Sequence, residues 1–200
     1  MVPLTTDQLD ALTELINIGV GQAAGLLSEM IESRIQLQIP HIELLSPLAL
    51  QNKLKESLGT NPLSAVKLGF HGSFVGSAQL IFPTESAATL VSVLTGETID
   101  SPDLDDLKIS TLSEVGNIVI NGVMGSIGNV LNQPLDYDVP SYAEEEIEEM
   151  LPINQSDEDG TVLLVQARFT IEELLVQGDI VLFFELGSFQ ALLDAIEAVV

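Results

Sequence analysis

Apolar residues recur at three- and four-residue steps in two long stretches of this chain. The first holds Leu9, Leu12, Ile16, Ala23, Leu27 and Met30, the second Ile109, Leu112, Val119, Val123, Ile127 and Val130. This is the period of a helix with one buried stripe. It predicts one long helix ending near residue 32 and another over about residues 106–132. Thr5-Thr6-Asp7-Gln8 has the form of a capping box opening the first. At 1.5 Å per residue that helix would run roughly 40 Å. Gly19 and Gly21 interrupt it, each at about 1 kcal/mol relative to alanine. Gly19 falls on the packed side, where it would let another element come close; Gly21 falls on the polar side.

Between and after these helices the pattern changes period. Ile35 to Ser46 alternates as a strand does and is broken at Pro40, which suits an edge or a bend. Leu48 to Leu58 reads as a short helix. Ser64 to Pro83 reads as a β-hairpin with a glycine-rich connection. Thr84 to Leu94 reads as a helix stopped by Gly96. The second half repeats the order: a long helix, a strand around Pro140, a hairpin from Thr161 to Leu186 and a last helix from Ser188 to Val200. AEEEIEEM, residues 143–150, reads as a solvated acidic helix face. Gly76, Ser86 and Leu90 return as Gly178, Ser188 and Leu192, offset by 102. The expected fold is therefore mixed, of the α+β type. Two α-β-β-β-α units share a mostly antiparallel six-stranded sheet about a pseudo-twofold axis. Residues 1–200 would form a single domain of two repeats, about 1–100 and 101–200, joined at Ser101 to Asp106.

The repeat also carries polar residues. Asp10, Glu14, Asn17 and Pro40 return as Ser110, Glu114, Asn117 and Pro140, each offset by 100. Spacings of i, i+4 and i+7 place Asp10, Glu14 and Asn17 on one helix face, roughly 140° from the apolar stripe. That face continues into Gly21 and Ser28, and in the second copy into Asn121 and Gly128. An exposed Glu/Asn pair in one copy would be ordinary helix surface. Its return at a fixed offset, while neighbours differ (IGVGQAAG against IVINGVMG), points to a reaction or a docking contact, because packing does not require Glu and Asn to face outward. Met124 in place of Ala24, and Asn121 in place of Gly21, would make the second face bulkier.

Composition narrows the chemistry. An apolar fraction of 46% and a charged fraction of 18% over 200 residues describe a globular chain with ample core. Thirty acids against six bases give a formal net charge of −24, and the bases form no cluster. Nucleic acid and anionic lipid both need basic patches, so neither is an expected partner. The chain has no cysteine, which excludes a disulfide scaffold and fits a reducing compartment. The first residues show neither a basic start nor an apolar core of a signal peptide, so a cytoplasmic location is expected. Val115 to Leu135 carries no charge and is long enough to span a bilayer, yet its asparagines and glycines favour a buried helix over membrane insertion. No phosphate-binding glycine loop, HExxH or GxSxG occurs. His41 and His71 are too few for a usual zinc site. Asp157-Glu158-Asp159-Gly160 lacks the calcium-loop ligand pattern and reads as a solvated turn. Glu14 and Glu114 could be imagined as the carboxylate pair of a sugar hydrolase. As symmetry copies, each with its own Asn, they fit two equivalent sites better than one composite site.

At these residues the chain resembles the CheC/CheX/FliY family of phosphatases that act on the phosphorylated chemotaxis regulator CheY. The family motif is Asp or Ser, three residues, Glu, two residues, Asn, then a proline some twenty residues on. Asp10-Glu14-Asn17-Pro40 meets it, and so does Ser110-Glu114-Asn117-Pro140. The duplicated layout is most similar to stand-alone CheC. The resemblance implies hydrolysis of a partner's phospho-aspartate, with Glu14 and Glu114 engaging the regulator and Asn17 and Asn117 holding the attacking water. It implies no cofactor on this chain and Mg2+ on the partner regulator. A CheD-type deamidase is a further partner that CheC relatives suggest. The alternative reading is a non-catalytic binding module, either a CheD regulator or a platform like the flagellar switch protein FliM.

Overall fold

The structure is a computed structural model that describes residues 4–31, 34–59, 61–96, 104–150, 162–171, 174–185 and 187–198. Its elements in chain order are α1 (Thr6–Ile31), β1 (Ile35–Leu45), α2 (Pro47–Leu58), β2 (Leu63–Gly72), β3 (Gly76–Pro83) and α3 (Thr84–Thr95), followed by α4 (Leu104–Val130), β4 (Leu135–Tyr137), β5 (Ser141–Glu145), α5 (Ile147–Met150), β6 (Val162–Ile171), β7 (Leu174–Phe184) and α6 (Ser188–Glu197).

Local chemistry sets the boundaries. The capping box is present: Gln8 N–H donates to Thr5 Oγ1 at 3.2 Å, and Thr5 N–H donates to Gln8 Oε1 at 2.9 Å. Gln8 Nε2 also donates to Glu197 at 2.7 Å, which ties the start of α1 to the end of α6. Ser46 caps α2, with Pro47 in the first turn. Gly96 ends α3 in the left-handed conformation. Asn132 does the same after α4, with Gln133 N–H donating back to the Gly128 carbonyl at 2.7 Å, the bond of a Schellman stop.

All strand pairings are antiparallel, in the order β1-β6-β7-β3-β2-β4, with β5 also on β2. The order reads the same from either edge when β1 is matched with β4 and β5, β2 with β6, and β3 with β7. Among the described residues the sheet has seven strands where the hydrophobic pattern predicted six. On one edge a single strand, β1, passes through Pro40 with a register shift between Gln38 and His41. On the other edge the chain leaves the sheet around Val139 and Pro140, so one strand position is filled by two short strands. Both prolines thus fall at irregularities of edge strands, where a missing N–H is tolerated.

The central strands are apolar on both faces because both are covered. Leu68, Phe70, Leu80, Phe82, Leu163, Val165, Ile180 and Leu182 face a core shared with α1, α3, α4 and α6. Their neighbours Ala65, Ile81, Leu164 and Val181 face a smaller core under α2 and α5. AEEEIEEM does not form one helix: Ala143 to Glu145 belong to β5, and only Ile147–Met150 is helical, with Ile147 buried. Pairing of β5 along β2 outweighs the helix preference of a glutamate run. Glu144 there accepts a 2.7 Å hydrogen bond from Lys108 of α4. Asp157 to Gly160 and the junction at 101–103 lie outside the described residues.

Candidate functional site on the paired long helices

Helices α1 and α4 pack side by side, and two glycines set how closely. A Cβ added at Gly19 would stand 2.7 Å from Val123 Cα and 2.8 Å from the Gly122 carbonyl carbon; one at Gly122 would stand 2.8 Å from the Gly19 oxygen. The helices touch backbone to backbone, as the packed position of Gly19 suggested. Met30, near the end of α1, lines a depression together with Ser110, Thr111 and Glu114 near the start of α4. With residue 19 opposite 122 and residue 30 beside 110–114, the helices are antiparallel. Counted along their axes from the crossing, Glu14 and Glu114 lie on opposite sides, roughly 20 Å apart at 1.5 Å per residue. That exceeds the roughly 5–9.5 Å at which two carboxylates flank one glycosidic bond. The two Glu/Asn pairs are therefore separate from each other and do not form one composite carboxylate pair.

In the first copy Asp10, Glu14, Asn17 and Gly21 are all exposed along α1. In the second copy Ser110 and Glu114 are exposed, while Asn117 and Asn121 are half-buried. Ser110 turns its hydroxyl back to the Leu107 carbonyl at 3.0 Å. Asn121 Nδ2 donates to Asn117 Oδ1 at 2.8 Å. Gly21, in the matching place, has open space where a side chain would stand. The second face is shorter than its sequence suggests. Met124 is fully buried in the core, so it does not border Asn117 as its replacement of Ala24 implied. Gly128 is buried too, because the chain folds back over it: a Cβ there would meet the Gln133 carbonyl at 2.7 Å. Pro40 lies in the edge strand β1 and Pro140 in the gap between β4 and β5, neither of them on a long helix.

The apolar stripes also end earlier than their periodicity indicates. Leu9 and Met30 are 37% and 51% exposed, and Ile109 and Val130 are 41% and 44% exposed. These four again form pairs offset by 100, at the outer ends of the helices. Each Asp/Ser of the motif is thus preceded by a partly exposed apolar residue. The depression at the second site has a volume of about 270 Å³ and is completed by Leu94 and Thr95 from the end of α3. Periodicity alone hid this, since it assigned all four residues to the core; their recurrence as pairs was the available signal. Among the described residues there is no group of three or more His, Asp or Glu placed to hold a metal ion, and no helix long and apolar enough to cross a membrane.

No family model matches the chain. It is 28% identical over 142 residues to the CheY-P phosphatase CheC of Bacillus subtilis, a stretch covering 68% of this chain and 66% of that protein. It is 20% identical over 174 residues to the flagellar motor switch phosphatase FliY of the same organism, covering 86% of this chain and 45% of that protein. The chain therefore spans just under two thirds of the first of these relatives and less than half of the second. Among solved structures, Thermotoga maritima FliY superposes with a TM-score of 0.79 at 16% identity, over the whole of both chains. The FliM middle domain of H. pylori gives 0.68 at 12% identity, over 96% of this chain and 99% of that one. A chain of the CheX-CheY-BeF3-Mg+2 complex of Borrelia burgdorferi gives 0.55 at 19% identity, over 86% and 98%. At these identities the structural likenesses establish the fold.

Proposed function

Since the chain belongs to the CheC/CheX/FliY family, we propose that it is a phosphatase for the aspartyl phosphate of a CheY-like response regulator, acting at two sites. The observation that carries this reading is the doubled Glu/Asn pair, each copy on an accessible face of its own long helix. The relatives' names as CheY-P phosphatases support the substrate class. The fold itself is shared with FliM, so the choice between an enzyme and a binding platform rests on those two helix faces.

In the proposed reaction Glu14 or Glu114 engages the regulator, and Asn17 or Asn117 reaches the acyl phosphate. The water oxygen bonds to phosphorus as the bond from phosphorus to the aspartyl oxygen breaks, releasing the carboxylate and inorganic phosphate. Phosphoryl transfer of this kind leaves a protein mainly the tasks of positioning and charge stabilisation. A neutral amide suits the first, because it both donates and accepts and does not repel phosphate. The partly exposed Leu9, Ile109, Met30 and Val130 give a docking protein apolar surface beside each polar pair. Mg2+ in this scheme belongs to the regulator's own acidic site. A CheD-type deamidase is a second partner class, inferred from the family alone.

The test is phosphate release from a phosphorylated receiver domain. Loss of one positioned polar group costs on the order of a hundredfold, so Asn17→Ala with Asn117→Ala should abolish acceleration, and each single change should leave part of it. A double variant that accelerates dephosphorylation like the wild type refutes the assignment. A double variant that binds its partners and complements fully in cells selects the binding platform instead.

A further inference from the structure

The two sites differ in one contact, and we infer from it that Asn121 is a positioning residue which holds the Asn117 amide in a single orientation, whereas Asn17 is left to rotate. This rests on the phosphatase reading only for its consequence in rate. The contact itself is a property of the free chain.

Asn121 lies one helical turn beyond Asn117, at i+4, where side chains on a helix meet. Its Nδ2 donates to Asn117 Oδ1 at 2.8 Å. The oxygen and nitrogen of an amide diverge from Cγ in one plane, so holding the oxygen against Asn121 also fixes the direction in which the NH2 group of Asn117 points. The bond uses one of the two lone pairs of Oδ1 and neither N–H. One acceptor position for a water and two donors for phosphoryl oxygens remain, now in a fixed frame. Asn121 is half-buried, so its own side chain is confined more than a surface residue would be. Asn17 has Gly21 at the same i+4 place and is exposed, so nothing on its own helix ridge fills the role of Asn121.

The size of the effect follows from counting orientations. A side chain on a helix samples about two staggered χ1 wells, since the third clashes with the preceding turn, and an Asn amide about two faces at χ2. When only one orientation is competent, rate scales with its population. Fixing that orientation is worth roughly two- to fourfold in kcat, with KM little changed, since Glu114 and the apolar rim are untouched.

Two readouts decide the matter. The first is the set of three-bond couplings to Cγ across χ1 of Asn17 and Asn117, measured by NMR on the isotopically labelled chain without partner. Asn117 should show one rotamer in the wild type and averaging in Asn121→Ala. Asn17 should show averaging in the wild type and one rotamer in Gly21→Asn, which the open space at that position allows. Equal couplings for Asn117 in wild type and Asn121→Ala overturn the inference. The second readout is kcat on a phosphorylated receiver, with one site silenced at a time. Asn121→Ala in an Asn17→Ala background should lower kcat roughly two- to fourfold, and Gly21→Asn in an Asn117→Ala background should raise it. Gly21→Ala serves as the control for helix propensity: a rise in kcat as large with Gly21→Ala as with Gly21→Asn overturns the role of the amide. A chain that never accelerates dephosphorylation refutes the phosphatase reading, while the couplings still decide whether Asn121 holds Asn117. A chain that is active, with couplings as expected and kcat indifferent to Asn121, overturns the positioning role.

Discussion

Replacing Gly19 by alanine tests the helix crossing on which the placement of both sites depends. The added methyl would lie 2.7 Å from Val123 Cα and 2.8 Å from the Gly122 carbonyl carbon. Carbon atoms normally rest about 3.5–4.0 Å apart, so α4 must withdraw by roughly 1 Å. Both obstructing atoms are backbone, and no side-chain rotation relieves them. Overpacking of this kind costs about 1–3 kcal/mol. Alanine returns about 1 kcal/mol through its helix propensity, but Ile16, Val20, Val119 and Val123, all buried around the crossing, lose contact as the helices part. The net expectation is a loss of about 1–2 kcal/mol, a fall of roughly 2–8 °C in Tm for a chain of this size. Gly21→Ala is the internal control. It makes the same chemical change two residues further on in the same helix, into open space, and should raise Tm by roughly 2–4 °C. Thermal unfolding followed by circular dichroism, with calorimetry to check two-state behaviour, reads both. If Gly19→Ala raises Tm as Gly21→Ala does, the backbone contact between α1 and α4 is absent and the separation of the two sites must be revised.

Asp179, buried on β7 with Oδ2 lacking a partner among the described residues, has its carboxyl raised by burial to about 6, with Lys53 opposing. The folded chain then holds this proton more tightly than the unfolded chain does. The resulting stabilisation is complete below the ordinary Asp value and is lost as pH rises from about 4 to about 6, up to ~3 kcal/mol. Asp179→Asn should therefore be more stable than the wild type at pH 7.5, with the gap closing toward pH 4; a gap that does not change with pH refutes the assignment. Phe70 packs edge-on against Phe184, ring centres 5.6 Å apart, and is 2% exposed. Phe70→Ala should cost about 3–5 kcal/mol in denaturant unfolding, and a loss below 1 kcal/mol would mean that the aromatic cluster is not packed as described.

The glycines at 76 and 178 show how a repeat visible in sequence acquires its cause only in three dimensions. A Cβ at Gly76 would meet the Phe70 ring at 2.7 Å, and one at Gly178 would meet the Phe82 ring at 2.6 Å. Gly178 is kept small by an aromatic on a neighbouring strand, and Gly76 by the Phe183 backbone of β7 together with the Phe70 ring of β2, which no local pattern discloses. The Asn117–Asn121 bond is the opposite case. It lies within one helix at i+4, so its geometry was open to reading from the sequence.

By itself the sequence determined the helices, the hairpins, their stops and the offset that doubles the Glu/Asn face. These depend on capping, periodicity and glycine conformations acting over a few residues. Only the tertiary structure decided that α1 and α4 run antiparallel, which sets the two faces at opposite ends of the pair. It alone left Leu9, Met30, Ile109 and Val130 partly exposed, took Met124 and Gly128 inside, and drew Ala143 to Glu145 into an edge strand. Those outcomes depend on what lies across the core or along the sheet. A period of 3.6 residues fixes which side of a helix is apolar, but not how far its neighbours extend to cover it.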